Sequence, residues 1–131
     1  IRSHAIFGVG PDNFLYQYPR YMLAAGSNEP DLSHPHNLVL DFWSRIGILG
    51  LASLVWLEAI FFVTAARLTK SSDALTRCLA VALMASMTDT LIHGMVDNSY
   101  FLIDLSLVFW LSLGLTQVLE WRSPRAEDSA T

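Results

Sequence analysis

Each of three apolar stretches in this chain is long enough to cross a lipid bilayer as a helix. The stretches cover residues 46–63, 78–96 and 101–119. At about 1.5 Å of rise per residue, a helix of this length measures roughly 27 to 29 Å, close to the roughly 30 Å hydrocarbon core of a bilayer. The sequence therefore predicts an all-α fold, a polytopic membrane protein with about three transmembrane helices.

The composition agrees with a membrane protein. Hydrophobic residues make up 53% of the chain, which is high for a soluble domain. The alternative is a soluble bundle of three buried helices, and the acidic side chains of Glu58, Asp89 and Asp104 within the stretches keep it open. Helices of such a bundle carry a charged stripe that faces water. The first and third stretches are apolar nearly all round, so we prefer the membrane assignment.

The positions of the basic residues predict how the chain is oriented. Lys and Arg favour the cytoplasmic side of a membrane, and here they lie in the connector after the first stretch and in the tail: Arg67, Lys70, Arg77, Arg122 and Arg125. We therefore expect a multi-pass protein of the cytoplasmic (inner) membrane. Residues 1–36 form its outer-face loop, residues 37–121 its three-helix membrane segment, and residues 122–131 a disordered tail inside the cell.

The predicted outer loop contains too many glycine and proline residues for a long helix. Its aromatic-rich part, residues 12–22, favours a short helix that is capped by Asp12. The helix is expected to end near Tyr18, because Pro19 disfavours helical geometry in the residue before it. The chain begins with Ile-Arg and shows no basic-then-apolar leader, so we interpret it as a piece of a longer polypeptide.

Several kinds of function are not expected from the composition. The net charge is -4 and the basic residues form no patch, so a nucleic-acid partner is not expected. The single cysteine, Cys78, lies in an apolar stretch and excludes a disulfide framework. His34 and His36 form an H-x-H pair, but on a helix their side chains point about 200° apart. We therefore expect no metal.

A first group of candidate site residues lies where the first membrane helix begins, within HNLVLDFWSRIGILG at residues 36–50. Ser33 or His34 can cap this helix, which places His36 and Asn37 in its first turn. The free amides there favour a bound anion and a neutral imidazole, which can accept a proton. On the same face, Asp41 and Arg45 are spaced to pair. The alternative is that His36 is only an interfacial polar residue, with Asp41 and Arg45 a structural pair.

A second polar stripe runs along the second membrane helix, at Ser86, Asp89, His93 and Asp97. If the outer ends of the first two helices pack together, His93 and Asp97 come within reach of His36, and a carboxylate there can orient its ring. The alternative is a stripe that only attaches this helix to its neighbours. Small residues allow helices to approach closely, so Gly47 and Gly50 are interpreted as helix-packing residues.

The spacing His-Asn, nine residues, Gly-x-x-Gly resembles the signature of the bacterial O-antigen ligase and O-antigen polymerase family. Two weaker matches accompany it: residues 7–14 (FGVGPDNF) resemble a GxGxxxF-type loop, and residues 94–98 (GMVDN) resemble the C-terminal end of the family. The resemblance implies an enzyme of cell-envelope polysaccharide and lipopolysaccharide biosynthesis. Such an enzyme transfers a lipid-diphosphate-linked glycan to the hydroxyl of a glycan or glycolipid acceptor on the outer face of the membrane.

The resemblance also implies roles for single residues. His36 matches the essential outer-face histidine. From their positions near it, and not from a family motif, Asn37, Asp41, Arg45, Asp97 and His93 are candidates to bind substrate or support it. Arginines neutralise the diphosphate in this family, so no metal or other cofactor is implied, and Arg20 and Arg2 are the outer-face arginines present here. Ligase and polymerase are not separable from this segment, which alone is expected to be inactive. A transporter fragment and a non-catalytic structural membrane domain remain as alternatives.

Overall fold

The computed structural model describes residues 4–11, 13–21, 32, 34–97 and 103–122. These residues form four α-helices and one 3-10 turn, and no strand occurs among them. The elements in chain order are α1 (Phe14–Gln17), the 3-10 turn (Tyr18–Tyr21), α2 (Leu38–Leu68), α3 (Ala74–Gly94) and α4 (Ile103–Arg122). The predicted all-α class is confirmed for the described part of the chain.

Two of the helices, α2 and α3, are long and apolar enough to cross a membrane. Most of their side chains are not buried within the protein, and many of the exposed ones are large and apolar, among them Leu49, Val55, Trp56, Val63, Leu79 and Val81. Exposed apolar surface of this extent is typical of a surface covered by another apolar phase. The third predicted span coincides with α4 and stays a prediction.

The helices α2 and α3 begin earlier than the apolar stretches they contain, because polar side chains cap them. The helix α2 begins eight residues before the predicted stretch, since the side-chain oxygen of Asn37 accepts a hydrogen bond from the Leu40 amide at 3.1 Å. The helix α3 begins at Ala74, where the Asp73 carboxylate accepts a hydrogen bond from the Thr76 amide at 2.9 Å. Both are N-cap interactions that satisfy amides with no partner inside the helix.

Of the other predicted boundaries, one is confirmed and one needs a small correction. The short helix ends at Gln17 with Tyr18 as its C-cap, as predicted, and the chain continues as a 3-10 turn through Pro19. Asp12, its predicted cap, lies outside the described residues. The helix α4 extends to Arg122, so the tail predicted from residue 122 begins later, and residues 123–131 lie outside the described part.

The helix α2 is two helices joined at a break. Gly47 has φ 76° and ψ -169°, which is not helical, and it separates a first part (residues 38–46) from a second part (residues 48–68). The interpretation of Gly47 as a helix-packing residue is wrong. A Cβ atom at Gly47 would overlap the backbone of Ile6 and Phe7. The missing side chain therefore allows the loop that contains Ile6 and Phe7, and not a second helix, to approach α2 closely. A Cβ atom at Gly50 would collide with the Ile46 side chain.

The N-terminal loop, residues 4–10, fills this break with backbone hydrogen bonds. The Val9 and Gly10 amides donate to the Ser44 and Arg45 carbonyls at 2.7 and 2.9 Å, and the Ile48 amide donates to the Ala5 carbonyl at 3.0 Å. A broken helix leaves such groups without partners, and burying them unpaired would be costly. The loop is therefore an integral part of the α2 structure.

The chain divides into two compact units. The first consists of Ile1–Trp56 and Ile92–Tyr100, and its buried apolar side chains are Leu38, Phe42 and Leu54. The second consists of Leu57–Leu91 and Phe101–Thr131, and its buried apolar side chains include Phe61, Ala65, Leu68, Ala80, Met87, Phe109 and Leu113. All candidate site residues except Asp89 belong to the first unit.

Candidate functional site

Asn37 connects the start of α2 to the turn that follows α3. Its side-chain oxygen caps α2 at the Leu40 amide, and its side-chain NH₂ donates to the Met95 carbonyl at 3.0 Å. The helix is therefore capped by Asn37 and not, as predicted, by Ser33 or His34. His36 lies before the helix rather than in its first turn. Ser33 is outside the described residues. One amide side chain thus holds both helix ends that carry the candidate site.

The absence of a side chain at Gly94 allows the same two helix ends to approach. A Cβ atom built on Gly94 would lie 3.3 Å from the Leu38 Cβ atom, which is tighter than an ordinary van der Waals contact. The start of α2 and the end of α3 therefore pack together, which is the condition on which the predicted approach of Asp97 to His36 depends. This packing brings the turn after α3 to His36.

His36 and Asp97 are joined by a hydrogen bond between side chains. The Nδ1 atom of His36 lies 2.9 Å from the Oδ1 atom of Asp97, and the two side chains are 55% and 54% exposed. An ionised carboxylate only accepts hydrogen bonds, so Nδ1 carries the proton and donates it. In the neutral ring this leaves Nε2 as the proton acceptor. The predicted approach of Asp97 to His36 is thus present in the structure.

The surroundings of Asp97 keep it ionised. The hydrogen bond from His36 is the largest cause that lowers the pKa of Asp97 below its ordinary value of 3.8, and it outweighs the partial desolvation of the carboxyl, which raises the pKa. A carboxyl with a lowered pKa contributes its interaction fully above the ordinary value and loses it only as the pH falls below that value. Asp97 therefore remains a charged acceptor at every pH near neutrality.

Two further histidines lie around Asp97. The His34 ring lies edge-on to His36, with centroids 5.0 Å apart, and its Nδ1 atom is 3.3 Å from the Pro35 carbonyl oxygen. His93 lies exposed in the last turn of α3, and its backbone carbonyl accepts a hydrogen bond from the Asp97 amide at 2.9 Å. Among the described residues, no three His, Cys, Asp or Glu side chains are arranged to hold a metal ion.

Asp41 and Arg45 form the predicted pair in the interior. The Arg45 Nε atom lies 2.6 Å from the Asp41 Oδ1 atom, and the two side chains are only 5% and 1% exposed. Removing one partner of a buried pair leaves an uncompensated charge, which is strongly destabilising. The backbone carbonyl of Arg45 also accepts a hydrogen bond from the Gly10 amide. The pair therefore stabilises the first part of α2, which follows His36 and Asn37. Because both side chains are buried, the pair is not accessible to a ligand at the surface.

The remaining predicted site residues lie elsewhere. Arg20 is exposed on the 3-10 turn, where its guanidinium donates to the Gln17 side chain at 3.5 Å. Its role toward a diphosphate stays a prediction, and Arg2 lies outside the described residues. Asp89 is exposed on α3, two turns before Asp97.

Sequence reasoning missed the contribution of the N-terminal loop. Besides its backbone hydrogen bonds, the Ala5 carbonyl accepts the Trp43 indole N–H at 3.1 Å. Gly8 has φ 69°, and a Cβ atom there would overlap the Arg45 carbonyl. The signal was the Gly8-Val9-Gly10 sequence together with a glycine inside a long apolar helix, since such glycines often mark a close approach of two backbones.

Comparison of the chain with protein-family models, with curated proteins and with solved structures finds no match. The functional assignment therefore depends on the motif spacing and on the geometry of the site.

Proposed function

We propose that this protein is part of a membrane glycan transferase of the O-antigen ligase and polymerase type, which acts on the outer face of the cytoplasmic membrane. The observation that carries the proposal is the hydrogen bond of 2.9 Å between His36 and Asp97. The contact joins the histidine of the His-Asn pair to a carboxylate 61 residues away. A half-exposed histidine with an orienting carboxylate is a common arrangement for general base catalysis.

In the proposed reaction, His36 acts as the general base. The acceptor hydroxyl attacks the anomeric carbon of the donor sugar, a new C–O bond forms, and the bond between that carbon and the lipid diphosphate breaks. Nε2 of His36 takes the hydroxyl proton, and the lipid diphosphate leaves with the bonding electron pair. Asp97 holds the ring through Nδ1 and stabilises the imidazolium that results.

The departing diphosphate needs positive charge nearby, since electrostatic stabilisation is usually the largest contribution to such a transition state. Arg20 is the described outer-loop arginine proposed for this role, and a bidentate guanidinium suits phosphate oxygens.

The proposal includes a topology with the His36 side outside. In a Cys78→Ser background, an impermeant thiol reagent applied to intact cells should label Ser27→Cys and leave Ser71→Cys unlabelled until the membrane is permeabilised. Position 71 lies in the basic connector between α2 and α3, and position 27 belongs to the outer loop, outside the described residues. The reverse labelling pattern would place the site on the cytoplasmic face and contradict the proposal.

A matched pair of substitutions on one helix and its following turn tests the role of Asp97. Loss of the orienting carboxylate costs a buried catalytic triad about 10⁴ in rate. Because Asp97 is 54% exposed and solvent screens its charge, we expect Asp97→Asn to lower turnover by about 10- to 100-fold. Asp89→Asn, which removes the same charge about 12 Å deeper along the helix, should have a smaller effect.

Rescue by a conservative substitution separates positioning from a structural role. Asp97→Glu keeps a carboxylate that can accept a hydrogen bond from Nδ1 of His36, so it should recover part of the turnover that Asp97→Asn loses. Equal losses in Asp97→Asn and Asp89→Asn, without rescue by Asp97→Glu, would show that the polar stripe only packs helices.

A further inference from the structure

The N-terminal loop presents two large apolar side chains at the tip of a closed turn. The Gly8 amide donates to the His4 carbonyl at 2.8 Å, which closes the turn around residues 5–7. At its tip Ile6 is 56% exposed and Phe7 is 76% exposed. Neighbouring large apolar side chains in a loop are expected to be covered by a partner phase, because water is an unfavourable environment for them.

The loop cannot fold back to cover these side chains, since its backbone is fixed to the break in α2. Its amides and carbonyls on both sides of the tip pair with Ser44, Arg45 and Ile48. The backbone of Ile6 itself lies against Gly47, where even a methyl group would overlap it. Ile6 and Phe7 are therefore held at the level of Gly47 along α2.

The length of α2 indicates where Gly47 lies in a bilayer. The second part of the helix, residues 48–68, measures about 31 Å at 1.5 Å per residue, which matches the roughly 30 Å hydrocarbon core. Basic residues mark its far end, where Arg67 lies in the last turn and Lys70 follows. If that end is at the cytoplasmic boundary, Gly47 is at the outer boundary, and the loop is at the level of the outer headgroups.

Apolar side chains of α2 are exposed at the same level as the loop. Directly after Gly47, Ile48 is 45% exposed and Leu49 is 58% exposed. The Ile48 amide donates to the Ala5 carbonyl, so the tip of the loop is next in sequence to a residue fixed at this level of the helix. A bilayer boundary at Leu49 would therefore be at the level of the loop as well.

We propose that the N-terminal loop is a membrane-interface anchor, which inserts Ile6 and Phe7 at the boundary between the headgroups and acyl chains of the outer leaflet. Aromatic and aliphatic side chains on a fixed loop bind bilayers in this way. The anchor would hold the first part of α2, about 13 Å long, at the bilayer surface with the His36 site at its start. The inference depends on α2 crossing the membrane and not on the catalytic role of His36.

Depth measurements on spin-labelled protein test the anchor. In a Cys78→Ser background, Phe7→Cys, Leu49→Cys and Ser72→Cys are labelled with a nitroxide, and the protein is reconstituted in phosphatidylcholine vesicles. Collision rates with oxygen, which concentrates in lipid, and with a polar nickel chelate, which stays in water, are then compared. Leu49 is the reference for lipid, and Ser72, exposed in the connector between α2 and α3, is the reference for water.

We expect the label at position 7, like the label at position 49, to collide with oxygen more often than with the chelate. The depth calculated for position 7 should be shallower than that for position 49. Ile6→Cys, in the same turn, should give the same ratio of collision rates. This second variant shows that the result does not depend on the local environment of one label. A label at position 7 that collides with the chelate as position 72 does would overturn the proposal. Low collision rates with both reagents would also overturn it, because they indicate that protein covers the loop.

The control at position 49 separates this failure from others. If position 49 reads as lipid and position 7 as water, the anchor alone is wrong. If both read as water, α2 does not cross the bilayer and the anchor fails with that assignment. Neither outcome depends on the activity of the His36→Ala variant, so a failure of the proposed catalytic role is recognised independently.

Discussion

Replacement of His36 by alanine is expected to lower glycan transfer by about 10²- to 10⁴-fold, the usual contribution of a general base. The substitution removes the only atom proposed to accept the acceptor's proton, Nε2. His36 lies before α2 and is 55% exposed, so its loss should leave insertion and abundance near normal. Transfer is measured as glycan product in a strain complemented with the full-length variant, and abundance is measured by immunoblot of the membrane fraction.

His34→Ala is the matched control for this experiment. Its ring lies only 5.0 Å from that of His36, but its Nδ1 atom is 3.3 Å from the Pro35 carbonyl oxygen, whereas the Nδ1 atom of His36 is 2.9 Å from the Asp97 carboxylate. We expect its transfer to stay within a few-fold of wild type, since no base is lost. Wild-type product levels in His36→Ala would contradict the assignment and favour a non-catalytic membrane domain or a transporter fragment.

The helices could be predicted because they depend on local patterns. Apolar stretches of membrane length appear directly in the sequence, and helical spacing places His93 and Asp97 near one end of α3. The approach of Asp97 to His36 needed one non-local assumption, that the start of α2 packs against the end of α3. It holds because Gly94 is small enough for Leu38 to approach, and because Asn37 reaches the Met95 carbonyl.

The helix boundaries were predicted less well, for a reason that is also local. Hydropathy locates the apolar part of a helix, whereas the helix begins wherever a side chain satisfies its first amides. Asn37 and Asp73 do this in polar sequence, before the apolar stretches begin. The sequence pattern assigns Asn37 to the first turn as a site residue because it belongs to the His-Asn pair, and this pattern does not predict that Asn37 caps the helix.

The break in α2 could not be predicted from the pattern of apolar residues. The stretch around Gly47 is continuous in hydropathy, and a glycine there is equally compatible with close helix packing. What decides between the two is a loop about 40 residues earlier in the chain, whose amides pair with Ser44 and Arg45. The sequence resemblance had grouped these segments as separate motifs, but it held no information on their contact.

The second large effect that we expect is a loss of stability when Gly47, at the break in α2, is replaced by alanine. Gly47 has φ 76° and ψ -169°, a backbone conformation that is essentially restricted to glycine and costs other residues about 1 to 3 kcal/mol. In addition, the new methyl group would overlap the Ile6 carbonyl, and forced overpacking costs about 1 to 3 kcal/mol. We therefore expect the free energy of unfolding to fall by about 2 to 6 kcal/mol, measured by denaturant titration in detergent micelles.

Gly114→Ala in α4 is the matched control, because it makes the same chemical change in a helix without a break. A Cβ atom at Gly114 meets nothing within 4 Å, and alanine favours a helix over glycine by about 1 kcal/mol. This variant should be unchanged or slightly more stable. Limited proteolysis gives a second reading, since the N-terminal loop should be cleaved faster in Gly47→Ala if the methyl group displaces it. A Gly47→Ala protein as stable and protease-resistant as Gly114→Ala would show that the loop does not fill the break.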